Sequence, residues 1–245
     1  LAIIPAMGGG VPGALLVAVG NGLQAASILG TTVDLNWVDG DPSGTLATGS
    51  VRAVSYSADF SQTYACSGSI AFASGNPLDP LSPWLPLNLI GAGSEHFNCT
   101  GFFSIPFAAT GLPPSIVLGT DQGAFASSDG VQFAAMARMA VSPAANDFAL
   151  VAAPGASPEL LVAGGFGVGA ISPSNLAANA SWSDRSGPAS VAAGGSNARL
   201  NNAAATDVAV LGATVFASVV TNHYRDVLAS ADGGATWSTT GISAV

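Results

Sequence analysis

Fourteen acidic residues, five arginines, two histidines and two cysteines are nearly all that this 245-residue chain offers for chemistry. Hydrolysis of a glycoside needs two carboxyl groups roughly 5–10 Å apart. Asp59, Asp121, Asp147, Glu159, Asp207 and Asp226 are the available acids, and sequence spacing pairs none of them. His96 stands beside a glycosylation sequon, and His223 stands in a hairpin turn with Asn222 and Tyr224, so both read as solvated surface residues. Cys66 and Cys99 have no histidine or third cysteine at ligand spacing; they fit one disulfide and no metal motif. The run Gly164-Gly165-Phe166-Gly167-Val168-Gly169 looks like a phosphate-cradling loop, but no helical pattern follows it, and a hairpin turn is the better reading. Tyr224-Arg225-Asp226 is the one aromatic–charged cluster expected at the surface, and aromatic and Arg residues anchor interfaces. These residues predict a contact site at 224–226, no catalytic constellation, no cofactor and no metal.

The composition narrows the partners. Only 8% of residues are charged, there is no lysine, and the formal net charge is -9. With no basic patch to neutralise phosphates, nucleic acid and anionic membrane surfaces are excluded as natural partners. A surface left to Ala, Gly, Ser, Thr and Asn suits packing against other protein subunits, including copies of the chain itself, or cover by glycans. Two sequons, Asn98-Cys99-Thr100 and Asn179-Ala180-Ser181, together with the paired cysteines and a first residue that is not Met, predict a secreted or cell-surface glycoprotein. The most apolar stretch, 13–33, is punctuated by Gly20-Asn21-Gly22 and Gln24, which suits a hairpin rather than a membrane span.

The elements that must position these residues are short strands. Thirty-one glycines and fifteen prolines interrupt the chain, and apolar runs last only four to eight residues. A unit recurs: an apolar strand, a Gly-containing turn, a second apolar strand ending in Ser, then an aromatic residue. The aromatic markers are Trp37, Trp84, Phe133, Trp182 and Trp237, spaced 47, 49, 49 and 55 residues apart. A period near 50 suits four-stranded units arranged radially. Candidate opening strands precede four of the markers, at Val51–Tyr56, Phe102–Phe107, Ala137–Pro143 and Thr206–Leu211.

The last unit ends in Ser230-Ala231-Asp232-Gly233-Gly234-Ala235-Thr236-Trp237, which reads Ser-x-Asp-x-Gly-x-Thr-Trp. In such a turn the Asp side chain accepts hydrogen bonds from the backbone ahead of it, and glycine supplies positive φ. A second copy, Ser127-Ser128-Asp129-Gly130-Val131-Gln132-Phe133, is one residue shorter and ends in Phe. The octapeptide resembles the Asp-box, or BNR-repeat, turn of sialidase-like and sortilin-like β-propellers. That resemblance implies an all-β propeller of five blades of about 50 residues spanning residues 1–245 as one domain. It casts Ser230, Asp232, Gly234, Thr236, Trp237, Ser127 and Asp129 as makers of structural turns. A sialidase would also need an arginine triad, a Tyr–Glu pair and an Arg-Ile-Pro motif. Here Ser104-Ile105-Pro106 has no Arg, and only Glu95 and Glu159 are glutamates.

The first unit shows no clear opening strand. Thr240–Val245 is expected to supply it by pairing in the first blade and closing the ring, with Ala2–Ala6 as the competing segment. The expected function is a non-catalytic extracellular propeller, a structural or protein-interaction module of a glycosylated surface assembly or filament. The alternative is a carbohydrate-binding propeller or a degenerate glycoside hydrolase.

Overall fold

The computed structural model describes residues 1–5, 13–20, 22–29, 32–34, 36–48, 50–90, 97–136, 144–152, 157–165, 167–176, 180, 182–186, 204–220 and 225–244. Within them the chain forms five sheets in sequence order. The first holds β1 (Ala2–Ile4), β2 (Gly13–Val19), β3 (Gly22–Leu29), β4 (Thr32–Val33) and β5 (Val38–Asp39). The second holds β6 (Val51–Ser57), β7 (Gln62–Ser67), β8 (Ile70–Ser74) and β9 (Leu85–Pro86). The third holds β10 (Asn88–Ile90), β11 (Cys99–Ile105), β12 (Ser115–Thr120), β13 (Gly123–Ser127) and β14 (Gln132–Ala135). The fourth is β15 (Ala145–Val151), β16 (Glu159–Gly164), β17 (Gly167–Ile171) and β18 (Ser183–Asp184). The fifth is β19 (Ala204–Leu211), β20 (Thr214–Val220), β21 (Arg225–Ser230) and β22 (Ser238–Ala244). Pairing is antiparallel throughout except for β10, which lies parallel to β14.

The repeated unit is therefore a four-stranded meander, and the aromatic marker stands just before or within its last strand. Successive sheets stack through their opening strands: β2 and β1 on β6, β6 on β11, β11 on β15, and β15 on β19. Each seam holds a core. Leu16, Leu46, Phe72 and Trp84 fill the first, and Tyr64, Ile116, Leu118 and Phe133 the second. Ile105, Val117, Phe148 and Leu160 fill the third, and Leu161, Val215, Leu228 and Trp237 the fourth. Four cores serve five sheets, and among the described residues none joins the fifth sheet to the first.

The middle strands record this arrangement. β7, β12 and β16 are buried on both faces beyond their first residue, whereas β20 alternates strictly between buried and half-buried. β2 likewise buries Ala14 and Leu16 but leaves Leu15 and Val17 half-buried. A strand covered on both faces reads as continuously apolar, and one covered on a single face alternates. β2 and β20 have the first composition and the second environment.

Two expectations are corrected. The C-terminal segment does not pair in the first sheet. β22 pairs with β21 as the last strand of the fifth sheet, and β1 supplies the opening strand of the first, Ile3 lying opposite Leu15. The sequential hairpin is the shorter connection, and Ser238 and Thr239 lie opposite Ala229 and Leu228. In the fourth sheet the opening strand is β15, after the expected Ala137–Pro143, which lies outside the described residues. Ala145–Val151 pairs with β16 to its end.

Cys66 and Cys99 form the expected disulfide. Cys66 lies in β7 and Cys99 opens β11, so the bond crosses the seam between the second and third sheets.

Candidate functional site: turns, a carboxyl pair and an inter-sheet cleft

The two box turns share one hydrogen-bond scheme. In the fifth sheet the Ser230 hydroxyl donates to Asp232 Oδ1 at 2.7 Å and accepts from the Gly234 amide at 2.8 Å. Asp232 Oδ1 accepts the Thr236 amide at 2.8 Å, and Oδ2 accepts the Thr236 hydroxyl at 2.6 Å. In the third sheet Ser127 bonds Asp129 and the Gly130 amide, and Asp129 Oδ1 accepts the amides of Val131 and Gln132. Gly234 has φ +95°, and a Cβ there would meet Arg185 Cβ at 3.0 Å. Donors hold both carboxyl groups below the ordinary Asp range. For Asp129 the Gln132 amide leads; for Asp232 burial opposes the shift, but bonds from Thr236 and Ser230 outweigh it.

Each turn also reaches across a seam to the preceding sheet. Trp237 Nε1 donates to the Arg185 carbonyl of the fourth sheet at 2.7 Å. The Tyr64 hydroxyl of the second sheet donates to the Gly130 carbonyl of the third at 3.2 Å. Burial, and then the charge on Asp129, raise the Tyr64 pKa, so this phenol stays a donor. The aromatic markers follow the same rule: Trp84, Phe133, Trp182 and Trp237 each pack in the core shared with the sheet before theirs. Trp37, in the first sheet, is 43% exposed and packs in none of the four cores of the described residues.

The structure pairs two of the acids that the sequence left unpaired. The side chains of Asp147 and Asp207 come together at the seam of the fourth and fifth sheets. Burial, and then the neighbouring Asp207, push the Asp147 pKa up to about 6. Both residues stand just past a bulge, at Ala145/Asp147 in β15 and Ala205/Asp207 in β19. Asp147 Oδ2 accepts the Val208 amide at 3.1 Å, and Asn146 Nδ2 donates to the Ala205 carbonyl at 2.9 Å. Thr100, in the bulge of β11, donates to the Ala145 carbonyl in the same way. The bulges free backbone groups, and polar side chains of neighbouring sheets satisfy them. Asp147, on the fourth sheet, thus holds a backbone amide of the fifth and acts as a strut across the seam. Nothing in the sequence signals it, because residues about sixty positions apart meet only through sheet stacking.

A cleft of about 520 Å³ opens at the seam of the fourth and fifth sheets, lined by Glu159, Ser172, Arg185 and Asp232 among others. Arg185 Nη2 contacts both oxygens of Glu159, at 2.6 and 2.7 Å. Glu159 is therefore neutralised, and Asp232 is occupied by its own turn. Asp121 accepts the backbone and side-chain amides of Asn98, each at 2.8 Å, while Asn98 Oδ1 accepts from Arg52. The Asn98 sequon amide is thus engaged in the structure; Asn179 lies outside the described residues.

The cluster at 224–226 is divided. Tyr224 lies outside the described residues. Strand alternation sends Arg225 to the outer face of the fifth sheet and turns Asp226 inward, where it is buried with an oxygen on the Val227 amide. The expectation of an exposed Asp226 is corrected on that ground. Among the described residues no group of three or more His, Cys, Asp or Glu side chains is placed to hold a metal ion.

No protein-family model matches the chain, and no curated protein matches it in sequence. Its likeness is to solved structures. BBS1N, solved in complex with ARL6DN, superposes with a TM-score of 0.56 at 14% identity, covering 96% of this chain and 65% of BBS1N. The extracellular domain of a hybrid two-component system from B. thetaiotaomicron gives 0.57 at 9% identity, covering 97% of this chain and 27% of that one. An ancestral GH74 enzyme gives 0.53 at 15% identity, covering 95% and 30%. The chain thus spans less than two thirds of the length of these structures. The fold they share with it is an all-β, propeller-like stack of sheets.

Proposed function

We propose that the chain is a non-catalytic, extracellular propeller module that binds other proteins, each of its five sheets being one blade and its box turns being of the Asp-box type. The observation that carries this reading is the commitment of its acids. Asp129 and Asp232 hold turns, Asp147 and Asp207 hold a seam, Glu159 is paired with Arg185, and Asp121 holds Asn98. Ile3, Trp37 and Leu211 stand exposed on a surface with few charges. BBS1N is a structural neighbour that was solved with a protein partner, which agrees with a binding role for this stack of sheets. The disulfide and the extracellular-domain neighbour support an extracytoplasmic site of action, and no described helix is long and apolar enough to cross a membrane.

The experiment is turnover by the purified chain on a panel of aryl glycosides, oligosaccharides and sugar lactones. The expected result is the uncatalysed rate. Turnover that disappears in a Glu159→Gln or Asp207→Asn variant overturns the reading. The second reading, a carbohydrate-binding propeller, rests on the cleft that holds Arg185 and Glu159. A glycan array returning no ligand removes it.

A further inference from the structure

We infer that the Asn98-Cys99-Thr100 sequon accepts a glycan only before the chain folds, and that in the folded protein the same three residues are a latch that closes the site. The inference goes beyond the protein-binding reading and does not depend on it.

N-glycosylation joins the Asn side-chain nitrogen to the anomeric carbon of a sugar. The nitrogen gives up one proton, and the lipid pyrophosphate that carried the sugar leaves. The transferring enzyme must hold both the Asn carboxamide and the hydroxyl two residues on, with the tripeptide extended and free of other partners, so such sites belong to surface loops. Asn98 has the exposure this requires. Each of its four polar groups nevertheless has a partner. Nδ2, the nitrogen to be modified, donates to Asp121 Oδ2 at 2.8 Å, and the backbone amide donates to Oδ1 of the same carboxylate at 2.8 Å. The Asn98 carbonyl accepts the Asp121 amide at 3.0 Å, and Oδ1 accepts from Arg52 Nη1 at 3.2 Å.

The other two residues of the sequon are fixed more firmly. Cys99 is 2% exposed, bonded to Cys66, and opposite Thr120 in the ladder of β11 and β12. The half-buried Thr100 spends its hydroxyl on the Ala145 carbonyl of the fourth sheet. That hydroxyl lies against the backbone of β12: a Cβ on Gly119 would stand 2.5 Å from Thr100 Oγ1 and 2.6 Å from the Ala145 carbonyl oxygen. Three consecutive residues thus fasten the third sheet to the second, through Cys66 and Arg52, and to the fourth, through Ala145. The latch is assembled from distant parts of the chain. Cys66 lies 33 residues before Cys99, Asp121 lies 23 residues after Asn98, and Ala145 lies 45 residues after Thr100. A growing chain therefore keeps the sequon open until the fourth sheet docks, and the finished fold withdraws it.

Sugar transfer to the whole purified chain by an oligosaccharyltransferase with its lipid-linked donor tests this, with product at Asn98 read by peptide mass spectrometry. The comparison is a Cys66→Ala/Cys99→Ala/Asp121→Ala variant, which keeps Asn98 and Thr100 as a sequon. The folded, disulfide-bonded wild type should take at least about 100-fold less sugar: two hydrogen bonds to a carboxylate, each worth about tenfold or more, give that factor before the disulfide is added. Asp121→Ala alone keeps the disulfide, should keep the wild-type circular dichroism spectrum, and should lie between the two. Wild type modified as fast as the triple variant overturns the inference, because the fold then closes nothing. No transfer to any of the three chains overturns it too, since the sequon is then barred by something other than the latch. So does a folded Asp121→Ala chain that takes no more sugar than wild type. The protein-binding reading survives each of these results, because it is tested by turnover.

Discussion

The five aromatic markers occupy one register in the sequence but should differ sharply in energetic weight. Trp237 is 2% exposed, packs with Leu161, Val215 and Leu228, and donates its indole N–H to the Arg185 carbonyl. Trp237→Ala removes a large buried side chain at a seam, which costs about 3–5 kcal/mol, and leaves a carbonyl without its donor. Trp37 is 43% exposed and belongs to none of the four cores of the described residues. Trp37→Ala should cost about 1 kcal/mol or less. Against a total stability of about 5–15 kcal/mol, the first loss is a third or more and the second is near the error of measurement. Urea denaturation followed by circular dichroism at 222 nm separates them, through a shift in midpoint at constant m. Equal losses for the two variants would refute the assignment of each marker to the seam before its own sheet.

Removing the disulfide by Cys66→Ala with Cys99→Ala, a separation of 33 residues, should cost about 3–4 kcal/mol in the chain-entropy model, read as a lower denaturation midpoint. Asp232→Ala takes away the acceptor for the Thr236 amide and hydroxyl and should cost about 1–3 kcal/mol, whereas Gly234→Ala should be destabilising because its φ is +95° and Arg185 stands in the way. The native pKa of Asp147 is raised, so the folded chain holds that proton more tightly than the unfolded one. Its contribution to stability is full below the ordinary Asp range and is lost as pH rises through about 6, and Asp147→Asn should flatten that slope. Asp129 and Asp232 act in the opposite sense: their pKa values are lowered, and the stability they add is lost as pH falls below the ordinary Asp range. Denaturation midpoints of wild type and Asp147→Asn between pH 3 and pH 8 check both signs.

The strand rhythm was legible because it is local. Gly and Pro punctuation, apolar runs and the spacing of Trp37, Trp84, Phe133, Trp182 and Trp237 set out the sheets, and the Ser–Asp–Gly pattern set out the turns. Four opening strands were expected, and three of them, β6, β11 and β19, overlap the expected segments. What failed was long-range. Ala2–Ile4 is only three residues and is indistinguishable from a frayed terminus until it pairs with β2. The apolar tail at Thr240 looked like an edge seeking a partner, yet its nearest hairpin neighbour satisfied it. The Asp147–Asp207 strut joins residues with no shared motif, and Asp226 looked exposed until the phase of β21 was known. Alternation could have found that last point, since Leu228 and Ser230 on the same strand are also buried.

The second and third sheets are joined by a covalent cross-link as well as by packing. The Cys66–Cys99 bond crosses their seam, and one residue, Leu87, separates β9 in the second sheet from β10 in the third. The latter pairs in parallel with β14, so the chain laces the two sheets together along their outer edge. Under tension, a parallel strand pair loaded along its length resists shear, and a covalent bond does not yield at all. Among the described residues the other seams rest on side-chain packing and hydrogen bonds. A stack pulled from its ends would therefore shed its outer sheets and keep this pair as its last intact unit, giving any assembly built from it a fixed mechanical knot in every subunit.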